Sequence, residues 1–132
     1  MENKSNDATP LRPQGDRFLN APILEIDLNR FISQIKEEAS WKDSDRNSIT
    51  LFKSETMRIV LVGLHQNAEL KTHSTRSVIS VQVLDGEIIF NADDQPVNMN
   101  KGQMVALQPK VPHSVLALKE SFILLTVASL EN

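Results

Sequence analysis

Three histidines are the residues of this chain best suited to metal or proton chemistry: His65, His73 and His113. Imidazole titrates near neutral pH and binds first-row transition metals, so these side chains set the upper limit on such chemistry. The 132 residues include no cysteine. Thiolate metal sites, iron–sulfur clusters, disulfides and a cysteine nucleophile are therefore excluded.

One spacing allows two interpretations. His65, Glu69 and His73 are four residues apart, and a helix over residues 64–73 would align them on one face as a metal-binding stripe. The pair Gln66-Asn67 is instead typical of a turn between two β-rich runs. We favour the turn, and expect strands on both sides of it.

Charge and hydropathy exclude two classes of partner. The chain carries 14 basic and 17 acidic residues, a net charge of -3, so it lacks the basic field that grips a nucleic-acid backbone. The longest apolar run, from Ile59 to Leu64, is too short to span a bilayer, and the opening residues have no apolar signal-peptide core. We expect a cytoplasmic protein with no nucleic-acid or membrane partner.

The length suits a single domain, which we divide into three parts. Residues 1–17 are polar and predict a flexible tail, residues 18–46 an N-terminal segment with a helix, and residues 47–132 a β-barrel. Asp27 is a typical N-cap, and the apolar residues behind it share one helical face. This pattern predicts one helix of about three turns that ends near Ser40.

After the helix the pattern changes to short β-rich runs separated by turn residues. Asp85-Gly86 is a strong hairpin signal. Many short strands with close turns favour an antiparallel sandwich or barrel over a parallel sheet. The strands are predicted at Ser48–Lys53, Met57–His65, Val78–Leu84, Glu87–Asn91, Val97–Met99, Met104–Leu107, Ser114–Leu118 and Phe122–Ala128.

Two segments resemble the two motifs of the cupin family. NAELKTHSTRSVISVQVLDG, from Asn67 to Gly86, is similar to the first motif, and GQMVALQPKVPH, from Gly102 to His113, is similar to the second. The resemblance covers residues 48–128. It implies an all-β fold: an antiparallel jelly-roll barrel of the RmlC-like type, here preceded by one short N-terminal helix.

The resemblance also implies a degenerate metal site. His73 and His113 match two of the family's ligands, but Thr75 stands where a second histidine of the first motif is expected, and Ile79 where its glutamate is expected. His65 or Glu69 could complete the set. The cofactor expected on this basis is a weakly held divalent transition metal, Zn, Fe, Mn or Ni, if one is bound at all.

Two functions follow from this pattern. The first is a small-molecule-binding or sensing cupin, in which an apolar barrel wall presents one or two imidazoles. The second is a metal-dependent cupin enzyme of dioxygenase or isomerase type. The absence of tyrosine counts against cupin epimerases, which pair a histidine base with a tyrosine acid. The pocket is predicted to contain His73, Thr75, Ile79, Val81 and His113.

The resemblance to small cupins also implies a homodimer, in which an N-terminal segment packs across the partner's strands. We therefore expect a homodimer. The helix from Leu28 to Ile35 and the side chain of Trp41 are the expected contact.

Overall fold

The computed structural model describes residues 20–129, and the tail predicted over residues 1–17 lies outside that range. Neither helix among these residues is long and apolar enough to cross a membrane. The elements are α1 (Leu28–Glu37), α2 (Ala39–Asp43), β1 (Arg46–Lys53), β2 (Met57–Leu64), β3 (Glu69–His73), β4 (Val78–Asp85), β5 (Glu87–Ala92), β6 (Gln95–Asn100), β7 (Met104–Leu107), β8 (His113–Ala117) and β9 (Ser121–Ala128).

The N-terminal helix begins where the sequence predicts. The Asp27 carboxylate accepts hydrogen bonds from the backbone N–H groups of Asn29 and Arg30, at 3.1 and 3.3 Å, which satisfies two donors of the first turn. The expected single helix is however two helices. Extended backbone at Glu38 (φ -80°, ψ 150°) separates α1 from α2.

The strands form two antiparallel sheets, which confirms the jelly-roll architecture. The five-stranded sheet has the order β1-β2-β9-β4-β7, and the four-stranded sheet has the order β3-β8-β5-β6. Ile79, Val81 and Val83 alternate along β4 and are buried in the core between the sheets, together with Phe90 and Val115 from the facing sheet. The predicted apolar barrel wall is confirmed.

A second apolar core lies on the outer face of the five-stranded sheet. Ile35 from α1 and Trp41 from α2 pack there against Leu61 and Phe122. Gly63 permits this packing, because a Cβ atom at that position would lie 2.8 Å from the Phe122 ring and 3.0 Å from the Trp41 ring. Ile35 of this helix and Trp41, both in the segment expected to contact a partner, are therefore buried against their own chain.

The Asp85-Gly86 turn does not form the hairpin that the sequence predicts. It joins β4 to β5, and these strands belong to different sheets. Gly86 has a φ of +96°, and the buried Ser121 hydroxyl holds this corner by accepting a hydrogen bond from the Glu87 N–H at 3.1 Å. The turn signal was right about the glycine conformation and wrong about the pairing.

The two-residue hairpin of this fold lies one strand later, between β5 and β6. Asp93 and Asp94 form its turn and both have positive φ values, 51° and 62°. Positive φ at both central residues gives the type I′ geometry that matches the twist of a hairpin.

Substitution of Gly86 tests the sheet-to-sheet corner, with Gly102 as a matched control. Gly102 also has a positive φ, +90°, but a Cβ there meets nothing within 4 Å, whereas at Gly86 it would lie 2.3 Å from Ser121 Oγ. We expect Gly102→Ala to lower the free energy of unfolding by about 1–2 kcal/mol, the cost of the backbone conformation. Gly86→Ala should cost about 2 kcal/mol more, because the corner must also shift.

Urea unfolding followed by Trp41 fluorescence measures both changes. Equal losses in the two variants would contradict the packing that we describe at the corner.

Candidate functional site

The structure brings His73 and His113 together at one end of the barrel. They are direct partners across β3 and β8, and their ring centroids are 4.3 Å apart with the planes inclined by 57°. Val115 and Ala117, the alternate residues of β8 after His113, are buried in the barrel core. Because side chains alternate along a strand, His113 points to the barrel side of the sheet, and His73 shares that side.

An irregularity in β3 sets the direction of His73. Leu70 pairs with Val115, but His73 pairs with His113, so β3 contains one residue more than β8 over this stretch. Such a bulge reverses the alternation beyond it. Leu70 and His73 therefore both face the barrel although they are three residues apart.

The same bulge corrects the expectation that Glu69 could complete the ligand set. Glu69 pairs with Leu116 on the outer face of the sheet and is exposed, so it does not share a side with His73. The favoured turn between two β-rich runs is confirmed: residues 69–73 form β3 after a turn at Asn67 (φ 73°), so the alternative helical stripe of His65, Glu69 and His73 does not form. Glu69 is unable to complete a ligand set with the two histidines from that position.

Backbone carbonyl groups orient both imidazoles of the pair. Nδ1 of His73 lies 3.0 Å from the carbonyl oxygen of Lys71, and Nδ1 of His113 lies 3.0 Å from that of Val111. A carbonyl oxygen only accepts, so each Nδ1 carries the hydrogen. In the neutral ring Nε2 then has a free lone pair, which can accept a hydrogen bond or bind a metal.

The two rings differ in their surroundings. His113 is only 6% exposed and lies parallel to the Phe90 ring, at 5.8 Å between centroids, whereas His73 is exposed. One imidazole is therefore rigidly packed in the barrel wall, and the other faces solvent beside it.

His65 does not join the pair, contrary to the three-histidine metal set. Its Nε2 lies 2.7 Å from the carbonyl oxygen of Trp41, and its ring is stacked on the Trp41 indole at 3.6 Å. Trp41 belongs to the core outside the five-stranded sheet, whereas His73 and His113 face the space between the sheets. The hydrogen bond and the ring stacking of His65 instead hold α2 against the end of β2.

The other predicted pocket residues stabilise the barrel. The Thr75 hydroxyl donates to the carbonyl oxygen of Ser77 at 3.1 Å, and the Thr75 carbonyl accepts from the Lys110 N–H at 2.7 Å, which joins the two loops at this end. Ile79 and Val81 are each only 3% exposed and contribute to the core. Thr75 lies two residues after His73, in the loop that leads into β4, while Ile79 and Val81 belong to the core between the sheets.

These residues do not fit a resident transition metal. Such ions are held by three or four protein ligands. Between residues 20 and 129 no group of three or more histidine, aspartate or glutamate side chains is placed to bind one. The site supplies two imidazoles, and the buried Ile79 side chain replaces the expected carboxylate.

A cavity that sequence reasoning missed opens at the same end of the barrel. Its volume is about 260 Å³, and it is lined by Lys53, Ser54, Glu55, Thr56, Met57, Arg58, Ser77, Val127 and Ser129. Ser77 lies four residues after His73, on the loop that leads from β3 into β4. The sequence does show that Lys53 and Arg58 flank the break between two predicted strands. That these two residues are direct partners follows only from the strand register.

The ring tautomers provide a test of the site. We expect neutral His73 and His113 to carry the hydrogen on Nδ1, and neutral His65 to carry it on Nε2, because these are the atoms that face carbonyl oxygens. Long-range proton–nitrogen NMR correlation distinguishes the two forms. His65 is the internal control, and the same tautomer in all three rings would disprove the assignment.

Comparisons with known proteins agree on the fold. No protein-family model and no curated protein matches the sequence. Solved structures do match. A conserved protein of unknown function from Streptococcus pyogenes has a TM-score of 0.69 and 21% identity, over 86% of this chain and 94% of that chain.

Two further structures extend this comparison. An RmlC-like cupin from Desulfovibrio desulfuricans has a TM-score of 0.62 and 26% identity, over 70% of this chain and 90% of that chain. Salicylate 1,2-dioxygenase from Pseudoaminobacter salicylatoxidans has a TM-score of 0.71 and 14% identity, over 83% of this chain but only 35% of the dioxygenase. With its two-sheet barrel and its histidine pair at one end, this chain has the RmlC-like cupin fold.

Proposed function

We propose that this protein binds a small, partly apolar organic molecule at the end of the barrel that carries His73 and His113. The observation that carries the proposal is the pair itself: two imidazoles 4.3 Å apart, each held through Nδ1 by a carbonyl oxygen. The two Nε2 atoms are hydrogen-bond acceptors for hydroxyl or amine groups of a ligand. Phe90 supplies apolar surface beside His113, at 5.8 Å between the ring centroids.

A metal-independent binding role agrees better with the ligand set than a metal-dependent enzyme does. The enzyme alternative, of dioxygenase or isomerase type, requires His65 or Glu69 to complete a site with His73 and His113. His65 is bonded to Trp41, and Glu69 faces outward. A divalent ion held by the two remaining imidazoles would be bound weakly.

Catechol is a suitable probe of the binding role, because its two hydroxyl groups can donate to two neighbouring acceptors. We expect saturable NMR shifts at His73, His113 and Val111. Affinity should fall about five- to tenfold in His73→Asn, since one acceptor is lost. His73 is exposed, so this variant should fold normally.

Two controls make the catechol result specific. Ser114→Ala changes the neighbour of His113 on the other face of β8 and should leave the affinity unchanged. Veratrole, the dimethyl ether of catechol, cannot donate and should bind much more weakly. Equal affinity of wild type and His73→Asn, or of the two probes, would reject the proposed role of the pair.

Metal analysis of protein purified without a histidine tag separates the two functions. We expect less than one equivalent of Zn, Fe, Mn or Ni, and weak binding of added Zn that disappears in a His73→Ala/His113→Ala variant. A tightly held stoichiometric metal that is lost in that variant would favour the enzyme instead.

We also propose that the protein is a homodimer, on the basis of its resemblance to small cupins. Because Ile35 and Trp41 are buried in their own chain, we place the partner on another surface. The outer face of the four-stranded sheet, with the half-buried Ile89 and Leu116, is the available apolar alternative. Light scattering at micromolar concentration should give twice the chain mass, and a monomer would reject the dimer.

A further inference from the structure

Two cationic side chains face each other directly at the end of the barrel that carries the turn between β1 and β2. Lys53 and Arg58 are partners across β1 and β2. The neighbouring pair, Phe52 and Ile59, lies on the helix side of the sheet, where Ile59 packs against the outer core. By alternation Lys53 and Arg58 point to the barrel side, and both line the cavity.

The next strand supports this orientation. Arg58 also pairs with Val127 of β9, and Val127 packs against the core between the sheets. The bulge between Thr50 and Phe52 is what brings Lys53 into register with Arg58. Two irregular strands, β1 and β3, thus each turn a polar side chain toward the same end of the barrel.

Carboxylate charge among the described lining residues offsets this pair of charges only in part. Neither Lys53 nor Arg58 makes a salt bridge with another residue between positions 20 and 129. Directly opposed like charges destabilise a sheet. Glu55 is the one carboxylate among the described lining residues, so two positive charges meet one negative charge and the cavity is cationic, in a protein whose net charge is -3.

Hydroxyl groups complete the lining. Ser54 is occupied within the turn, because its Oγ accepts from the Met57 N–H at 3.1 Å and lies 3.2 Å from the Met57 carbonyl oxygen. Thr56 and Ser77 add further hydroxyl groups to the cavity wall. A guanidinium, an ammonium and hydroxyl donors around one cavity form the donor set that recognises an oxyanion.

We propose that this cavity binds the anionic group, carboxylate or phosphate, of a small molecule. Arg58 would hold two oxygens side by side, and Lys53 would act as a point charge from the opposite strand. The cavity volume of about 260 Å³ lies just below the range of about 300–1,000 Å³ typical of ligand pockets, so a small molecule that carries one anionic group is the occupant that suits it. The site uses none of the residues proposed to bind catechol, so it stands or falls independently of His73 and His113.

Inorganic phosphate and succinate are the probes that test the site, each titrated at low ionic strength and followed by proton–nitrogen NMR. We expect saturable millimolar binding of at least one of them, with shifts at residues 53–58, 77 and 127–129. The tighter-binding probe identifies the preferred group. Arg58→Gln and Lys53→Gln should each weaken binding about tenfold, because each removes a charged donor.

Two further variants keep the test selective. Lys101→Gln removes an exposed lysine from the turn between β6 and β7 and should have no effect on binding. Glu55→Gln removes the carboxylate that opposes the anion and should strengthen binding severalfold. The proposal is overturned if neither probe saturates, or if Lys101→Gln weakens binding as much as Arg58→Gln does.

Discussion

Strand β9 is the element on which both cores depend. It lies in the middle of the five-stranded sheet and pairs with β2 on one side and β4 on the other. Because successive side chains point to opposite faces, Phe122 enters the core beneath the helices while Ile123 enters the core between the sheets. A one-residue slip of β9 would exchange these faces and disrupt both cores at once.

The polar end of the barrel depends on departures from this regular alternation. In a regular β3, Leu70 and His73 would point to opposite sides, and His73 would face solvent away from His113. The extra residue between them makes the pair, and a similar irregularity in β1 places Lys53 opposite Arg58. Such bulges change the direction of side chains and disrupt the local hydrogen bonds between strands. They are therefore frequent at barrel rims and beside functional sites.

These irregularities also explain what could be predicted from the sequence. The alternation of apolar residues from Ile79 to Val83 was sufficient to predict which face of β4 enters the core. The side chain of Asp27 was sufficient to predict where α1 begins. The cupin-like spacing placed His73 and His113 in one site. Two features could not be predicted: the side to which His73 points, and the sheet to which the strand after Gly86 belongs. Both depend on long-range strand pairing, which leaves no periodic pattern in the nearby residues.

Ile79 shows why the chemistry of this end differs from that of a metal site. It lies between Leu107 on β7 and Val127 on β9, within the sheet and 3% exposed. A carboxylate at this position would be desolvated among apolar neighbours, and that cost is acceptable only when a cation compensates it. With isoleucine there, this part of the sheet is stable without an ion. The imidazoles of His73 and His113 then stand without a carboxylate partner, which suits an organic ligand better than a metal.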